Sequence, residues 1–145
     1  MTLTTFLRDA GYERVTLSRS GVGHFHAAGS LNGRAVAVLI DTGAASTVVS
    51  LVLAQQLGIM LHKLDVTGGG AGGANLAIYA LADATLSLGE VQPRPRALLA
   101  MDFTHVNQSL ALKGEAPVDV ILGADVFEAG AAVIDYGSSS LFLRR

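Results

Sequence analysis

The residue whose setting points most clearly to chemistry is Asp41, which follows the apolar run 35–40 and precedes Thr42 and Gly43. Such a run predicts a buried strand that delivers the carboxylate into a turn, where apolar surroundings disfavour its charge. Gly43 allows a tight bend that brings its N–H towards the carboxylate, and the Thr42 hydroxyl can hydrogen bond to the main chain. The same triplet also fits a plain turn after a strand, the commoner use of Asp-x-Gly.

Two further segments could take part in such a site. Residues 68–73 are five glycines and one alanine, and an even-numbered apolar series from 76 to 88 follows them, which predicts a β ribbon with a flexible tip. Residues 118–122 form a second apolar strand that ends at Gly123. The glycines also satisfy the dinucleotide pattern G-x-G-x-x-G, but that pattern needs a helix directly after it, and the alternating series favours a strand.

The sequence Val-Leu-Ile-Asp-Thr-Gly-Ala at 38–44 resembles the active-site sequence of the retropepsin-like aspartic proteases. Val-Ile-Leu-Gly at 120–123 is similar to that family's second hallmark, two bulky apolar residues followed by glycine. The glycine cluster lies between the two, where the family has its flap. Together these features cover roughly residues 23–143, and the style of the later segments is similar to that of bacterial single-domain members.

The resemblance implies a mainly β chain, a closed acid-protease β barrel with one or two short helices. We expect a single domain over residues 1–145, with an N-terminal extension at 1–22 and the protease-like core at 23–143. Because the chain has one Asp-Thr-Gly copy, the second carboxylate would come from another copy of the chain in a homodimer. The resemblance then implies an aspartic endopeptidase that hydrolyses peptide or protein substrates through a water activated by two Asp41 carboxylates.

The same resemblance assigns the other site residues. The catalytic turn comprises Asp41, Thr42 and Gly43, and the structural residues near it are Ile121, Leu122 and Gly123. Substrate-binding positions are Ala44, Gly68, Gly69, Gly70, Gly72 and Gly73. No metal and no cofactor are required by this chemistry. The alternative is a retropepsin-fold module without activity that serves in dimerisation or peptide binding, because fold does not determine function.

Composition narrows the other function classes. Charged residues make up 15% of the chain, the formal net charge is -2, and the cations are scattered, so nucleic acid is not an expected partner. The chain has no cysteine, which excludes disulfides and a thiol nucleophile. Its longest apolar run is too short to span a bilayer, and charges interrupt residues 1–15 where a signal peptide needs an apolar stretch. We therefore expect a soluble cytoplasmic protein with no membrane contact.

Several local signals predict secondary structure. Asn32-Gly33 predicts a tight hairpin, because both central positions of a type I′ turn need positive φ. Ser50 is placed to cap a helix over 51–57 that Gly58 closes, and Thr104 to cap a helix from 105 to about 113 that Gly114 closes. A brief helix is expected at 5–12 and a single helical turn at 125–128.

Four further polar residues, His24, His26, Asp125 and Asp135, each allow a functional and a structural interpretation. His24 and His26 share one face of a predicted strand and could begin a metal site, but a metal needs more ligands, and His62 and His105 are distant in sequence. Solvated strand histidines are the favoured interpretation. Asp125 and Asp135 could be mistaken for a second catalytic acid, yet helix capping explains the first and turn formation the second.

Overall fold

The computed structural model describes residues 1–68, 75–95 and 97–145. In that part of the chain the protein is mainly β, as the sequence predicts, and it has four short helices where one or two were expected. The helices are α1 Leu3–Asp9, α2 Leu51–Gln56, α3 Thr104–Leu112 and α4 Ala124–Ala129. The strands are β1 Tyr12–Thr16, β2 Ser18–Arg19, β3 Phe25–Leu31, β4 Arg34–Ile40, β5 Val48–Ser50, β6 Leu61–Gly68, β7 Leu76–Leu81, β8 Leu86–Ser87, β9 Leu99–Met101, β10 Val120–Leu122, β11 Val133–Asp135 and β12 Ser140–Arg144.

The strands form two sheets. The larger runs in the order β2-β3-β4-β10-β5-β9-β7-β6, with β8 paired to β3, and the smaller in the order β1-β12-β11. Residues 12–19 were expected to lie in an extension. In the structure they contribute β1 to the smaller sheet and β2 to the larger one. Among the described residues neither sheet pairs its two outer strands with each other, so the closed barrel stays a prediction.

The hairpin between β3 and β4 has the expected turn. Asn32 has φ 48° and Gly33 has φ 84°, and the strands pair from Leu31 opposite Arg34 to His26 opposite Leu39. Positive φ at both central positions is the requirement of a type I′ turn, whose twist matches that of the flanking strands. This turn sets the register of the strand that leads into Asp41.

The predicted caps of α2 are also present. The Ser50 side chain accepts a hydrogen bond from the N–H of Leu53, and Gly58 has φ 67° just past the helix end. An oxygen acceptor at the first position and a left-handed residue after the last one satisfy main-chain groups that a helix leaves unpaired.

The alternating series at 76–88 does not form one ribbon. β7 ends at Leu81, Asp83 has φ 56°, and the chain then turns so that β8 pairs with β3 instead of continuing beside β6. A residue in the left-handed region breaks an extended strand. The period-of-two pattern continues because both pieces face apolar neighbours, which is why the sequence alone suggested a single strand.

Two other helices begin at different residues from those predicted. α1 starts at Leu3 because Thr2 accepts from the N–H of Thr5, so the helix begins two residues before the predicted range 5–12 and already ends at Asp9. At α3, Thr104 is the first helical residue and not the cap. The Asp102 carboxylate accepts from both the N–H and the hydroxyl of Thr104, and that hydroxyl contact lowers the pKa of Asp102.

The core has two parts that lie on opposite faces of the strands around Asp41. Val120 and Leu122 of β10 face the main cluster and are fully buried, while Ile121 faces a second cluster beneath α3. The second cluster consists of Met101, Phe103, Val106, Leu110, Val118 and Ile121. A strand that is buried on both faces is apolar throughout, which explains the unbroken run in its sequence. In the described part of the chain no helix has the length and apolar character needed to cross a bilayer.

The Asn32-Gly33 turn yields a stability test. Gly33 and Gly21 both have open space where a Cβ would stand, but only Gly33 has positive φ. We expect Gly33→Ala to lower the free energy of unfolding by about 1–2 kcal/mol, since a side chain is disfavoured in the left-handed region. Gly21→Ala should leave that free energy unchanged or slightly raised. Urea unfolding at one protein concentration measures both, and equal effects of the two substitutions would contradict this account of the turn.

Candidate active site

Asp41 follows directly on β4 and is held through its main chain. Its N–H donates to the carbonyl of Leu122 at 3.0 Å, and its own carbonyl accepts from the N–H of Ala44 at 3.2 Å. The carboxylate Oδ1 accepts from the N–H of Gly43 at 3.0 Å, as predicted from the need for a tight bend. Asp41 is partly exposed and Thr42 is exposed. The turn therefore presents an oriented carboxylate at the surface of a single chain.

The turn is fixed by the strand beside it. β10 pairs in parallel with β4, with Leu122 opposite Ile40, and antiparallel with β5, with Ile121 opposite Val48. The chain thus leaves β4, passes through the Asp41 loop and returns as β5 on the other side of β10. Both ends of the loop are anchored on the same strand, so the loop cannot shift without breaking one of the two ladders.

Gly123 is where the loop and β10 come closest. A Cβ at this position would lie 2.6 Å from the carbonyl oxygen of Ser46 and 2.8 Å from that of Ala44. The next residue, Ala124, donates its N–H to the Ala44 carbonyl at 2.7 Å. Glycine is required here because two main chains touch, and its φ of −112° shows that the cause is space and not a left-handed conformation. Gly123 thus lies against the Asp41 loop, and its support of an active site stays a prediction.

The loop is tied a second time through Thr47, which sequence reasoning missed. Thr47 is fully buried; its hydroxyl donates to Asp125 Oδ1 at 2.7 Å and accepts from the N–H of Gly123 at 3.0 Å. Its N–H donates to Asp125 Oδ2 at 3.1 Å. Asp125 is the second residue of α4, and the cap position is Gly123 with no side-chain cap, so the capping predicted for Asp125 is wrong. Its carboxylate clamps the loop instead. The only signal in the sequence was a threonine within six residues of Asp41, which is too common to interpret.

Asp135 has the structural role that the sequence indicated. Its Oδ1 accepts from the N–H of Gly137 at 3.0 Å and its Oδ2 from the Ser138 hydroxyl at 2.6 Å, and the Ser138 contact lowers the pKa of Asp135. A proton donor at neutral pH needs the opposite shift. Asp135 is thus a turn residue and a poor candidate for a second catalytic acid.

The glycine cluster is only partly described. Gly68 is the last residue of β6, and a Cβ there would lie 2.9 Å from Ile78 Cδ1 and 3.2 Å from Met101 Sδ, so a side chain would require these two flexible side chains to shift. The other predicted substrate-binding glycines, Gly69, Gly70, Gly72 and Gly73, lie outside the described residues. Ala44 is half-buried against the second core cluster, next to Asp41.

Residues 27–126 match the model of a family described as aspartyl protease. The matched segment contains the Asp41 loop, β5 and β10, and it spans more than half of the chain. The chain belongs to the aspartyl protease family. It is therefore an aspartic-type hydrolase, as the sequence indicated. None of the curated proteins matches it in sequence.

Solved structures similar to this aspartyl protease have retropepsin-like folds. A retropepsin-like aspartic protease from Rickettsia conorii matches with a TM-score of 0.55 and 21% identity over 91% of this chain and 90% of the other. The EIAV protease, solved with the inhibitor HBY-793, matches with a TM-score of 0.54 and 20% identity over 77% and 91%. The retroviral protease-like domain of Ddi1 from Leishmania major gives 0.53 and 16% over 81% and 86%. These likenesses establish a retropepsin-like fold for the chain.

The Thr47 clamp yields the second stability test. Thr47→Val keeps the shape of the side chain but leaves the buried Gly123 N–H without its acceptor, while Asp125 Oδ1 loses the hydroxyl and keeps the Val126 N–H. Leaving a buried polar group unpaired typically costs about 1–3 kcal/mol, so we expect a loss of that size in the free energy of unfolding. Thr16→Val, at an exposed position of β1, is the matched control and should change it by less than about 0.5 kcal/mol. Urea unfolding at one protein concentration would refute the clamp if the two variants were equally stable.

Proposed function

We propose that this aspartyl protease is an endopeptidase that acts as a homodimer, with the two Asp41 carboxylates of the dimer forming the catalytic pair. The observation that carries the proposal is the Asp41 turn itself, a carboxylate held by two main-chain ladders yet partly exposed on a single chain. A group held this firmly at the surface is suited to meet a second copy of itself. The family match and the retropepsin-like fold support the proposal.

Asp41 lies on an open surface, which could form one side of a substrate cleft. Thr42, Gly43 and Ala45 are exposed beside it, and two cavities on the described surface are lined by other residues, chiefly those of 81–98 and of the C-terminal strand. A protease needs a cleft that surrounds an extended peptide and limits access of water. Two Asp41 turns facing each other across a two-fold axis would create that cleft from surfaces that are open in one chain.

The chemistry follows from the behaviour of two close carboxylates. Two such groups within hydrogen-bonding distance share one proton, because two negative charges that close together repel each other strongly. The ionised Asp41 would take a proton from a water as that water attacks the peptide carbonyl, and the protonated Asp41 of the second copy would donate to the carbonyl oxygen. The tetrahedral intermediate would then break down: the first Asp41 gives the nitrogen the proton it took from the water, the C–N bond breaks, and a hydroxyl of the intermediate returns a proton to the second Asp41. Ala44 and the glycines of 68–73 remain the proposed substrate-binding positions, the latter as a lid.

The decisive substitution is Asp41→Asn, which keeps the shape of the side chain and removes the base. We expect cleavage of unfolded proteins and peptides to be lost while the free energy of unfolding stays close to that of the wild type. Asp83→Asn is the matched control, because Asp83 is an exposed carboxylate in a left-handed turn, a conformation that asparagine also adopts. The wild-type rate should pass through a maximum at acidic to near-neutral pH, since the pair must hold one proton and not zero or two.

Mixing wild type with Asp41→Asn separates a shared site from an independent one. If each active unit needs both carboxylates, refolding equal amounts together should leave about a quarter of the activity of the same total of wild type, against about a half for independent chains. Cleavage by Asp41→Asn equal to that of Asp83→Asn would overturn the proposal. A folded dimer that binds extended peptides without cleaving them would instead support the module without activity.

A further inference from the structure

A cluster of three metal-ligating side chains lies apart from the Asp41 turn. His24 precedes β3 and His26 lies on it, while Glu115 comes from the connection between α3 and β10, 91 residues from His24 in sequence. One ligand atom from each side chain lies within 4.8 Å of the other two. The sequence suggested only the two histidines; the missing ligand is supplied by tertiary structure.

The position of Glu115 follows from how α3 ends. Gly114 has φ 75°, its N–H donates to the carbonyl of Ala111, and the N–H of Glu115 donates to that of Leu110. This pair of hydrogen bonds is the Schellman motif, which reverses the chain after a helix. The reversal brings the Glu115 carboxylate against the turn between β2 and β3. Its side chain is only 5% exposed, so the carboxylate is buried beside the histidines.

The cluster contains a buried nitrogen that has no hydrogen-bond partner among the described residues. Nδ1 of His24 lies 2.9 Å from Glu115 Oε2, but Nε2 of His26 is buried and has no hydrogen-bond partner among the described residues. A buried polar atom without a partner costs free energy, and such an atom in a native protein calls for an unseen water or ion. Because a ligand atom of the His26 ring also lies within 4.8 Å of ligand atoms on His24 and Glu115, an ion is the partner best suited to this histidine.

We propose that His24, His26 and Glu115 bind one divalent transition-metal ion, with Zn²⁺ the best suited. Two histidines and a carboxylate form a known ligand set for zinc, with a fourth position left to water. Imidazole nitrogen is a poor ligand for Mg²⁺ and Ca²⁺, which prefer oxygen, so those ions are not expected to bind tightly.

The geometry needs little adjustment to hold zinc. Ligand atoms about 2.0–2.1 Å from a tetrahedral ion lie about 3.4 Å from each other. The pair that is 2.9 Å apart must therefore open slightly, and a pair at the upper limit of 4.8 Å must close by about 1.4 Å, which side-chain rotation can provide. The His24 side chain is 39% exposed, so an ion can reach the site from solvent.

Ser20 completes the surroundings of the cluster. Its hydroxyl donates to Oε1 of Glu115, the oxygen that does not face His24, and accepts from the N–H of His24 at 3.0 Å. Metal-binding carboxylates are commonly oriented by such an outer hydrogen bond, which fixes the oxygen that faces the ion. Ser20 is thus a positioning residue for Glu115 and His24.

The test uses the full chain without a histidine tag, stripped of metal with EDTA and titrated with Zn²⁺ against a chromophoric chelator. We expect one ion per chain, a raised melting temperature with Zn²⁺ but not with Mg²⁺, and visible absorption typical of low-coordinate Co²⁺ when Co²⁺ replaces zinc. His26→Gln and Glu115→Gln should each weaken Zn²⁺ binding by more than the roughly 10- to 100-fold that follows loss of an outer-shell partner.

The chain offers matched controls for each ligand. His62→Gln and His105→Gln change exposed histidines outside the cluster and should bind Zn²⁺ as the wild type does. His24→Gln, at the more exposed ligand, serves as a second variant if His26→Gln does not fold; circular dichroism in EDTA checks folding of all five. Absence of stoichiometric Zn²⁺ binding, or binding that is weakened as much by His62→Gln as by the ligand variants, would overturn the proposal.

Discussion

The position of one short strand, β10, between the two strands that flank the Asp41 loop is the constraint on which the rest of the structure depends. Val120 and Leu122 are fully buried on one face and Ile121 is buried on the other, so apolar contacts hold the strand from both sides. Its main chain is bonded to β4 on one edge and to β5 on the other. Asp41 is therefore positioned by long-range ladders, and its own turn only aims the carboxylate.

The loop can be partly exposed and still be fixed because its anchors are small and buried. Gly123 has no side chain, so two main-chain segments can lie in contact there. The Thr47 hydroxyl then donates a hydrogen bond to Asp125 and accepts one from the N–H of Gly123. Each of these groups has a partner, so the clamp is not weakened by an unpaired polar atom. Because Gly123 and Thr47 hold the loop in place, Thr42 and Gly43 can stay exposed and take no part in its packing.

Two features that the sequence predicted correctly have a local cause, although the local caps at Thr2 and Asp102 were missed, and several features with a tertiary cause were missed as well. Asn32-Gly33 and the Ser50 cap were predictable because the required φ angles and acceptors belong to the same few residues. The break at Asp83 was not, since both pieces of the series keep an apolar face and only their different partners separate them. The roles of Thr47 and Glu115 were missed for the same reason, because their hydrogen-bond partners lie more than 70 positions away in sequence.

The Asp41 turn and the proposed metal cluster are connected through β4. This strand lies between β3, which carries His26 opposite Leu39, and β10, which receives the Asp41 N–H at Leu122. Glu115 lies five residues before β10 begins. An ion bound by His24, His26 and Glu115 would therefore link β3 to the segment that leads into β10, on either side of the strand that precedes Asp41. An ion that binds the folded chain and not the unfolded one adds its binding free energy to the stability of the fold and opposes local opening, so its benefit would fall on the strands that Asp41 depends on.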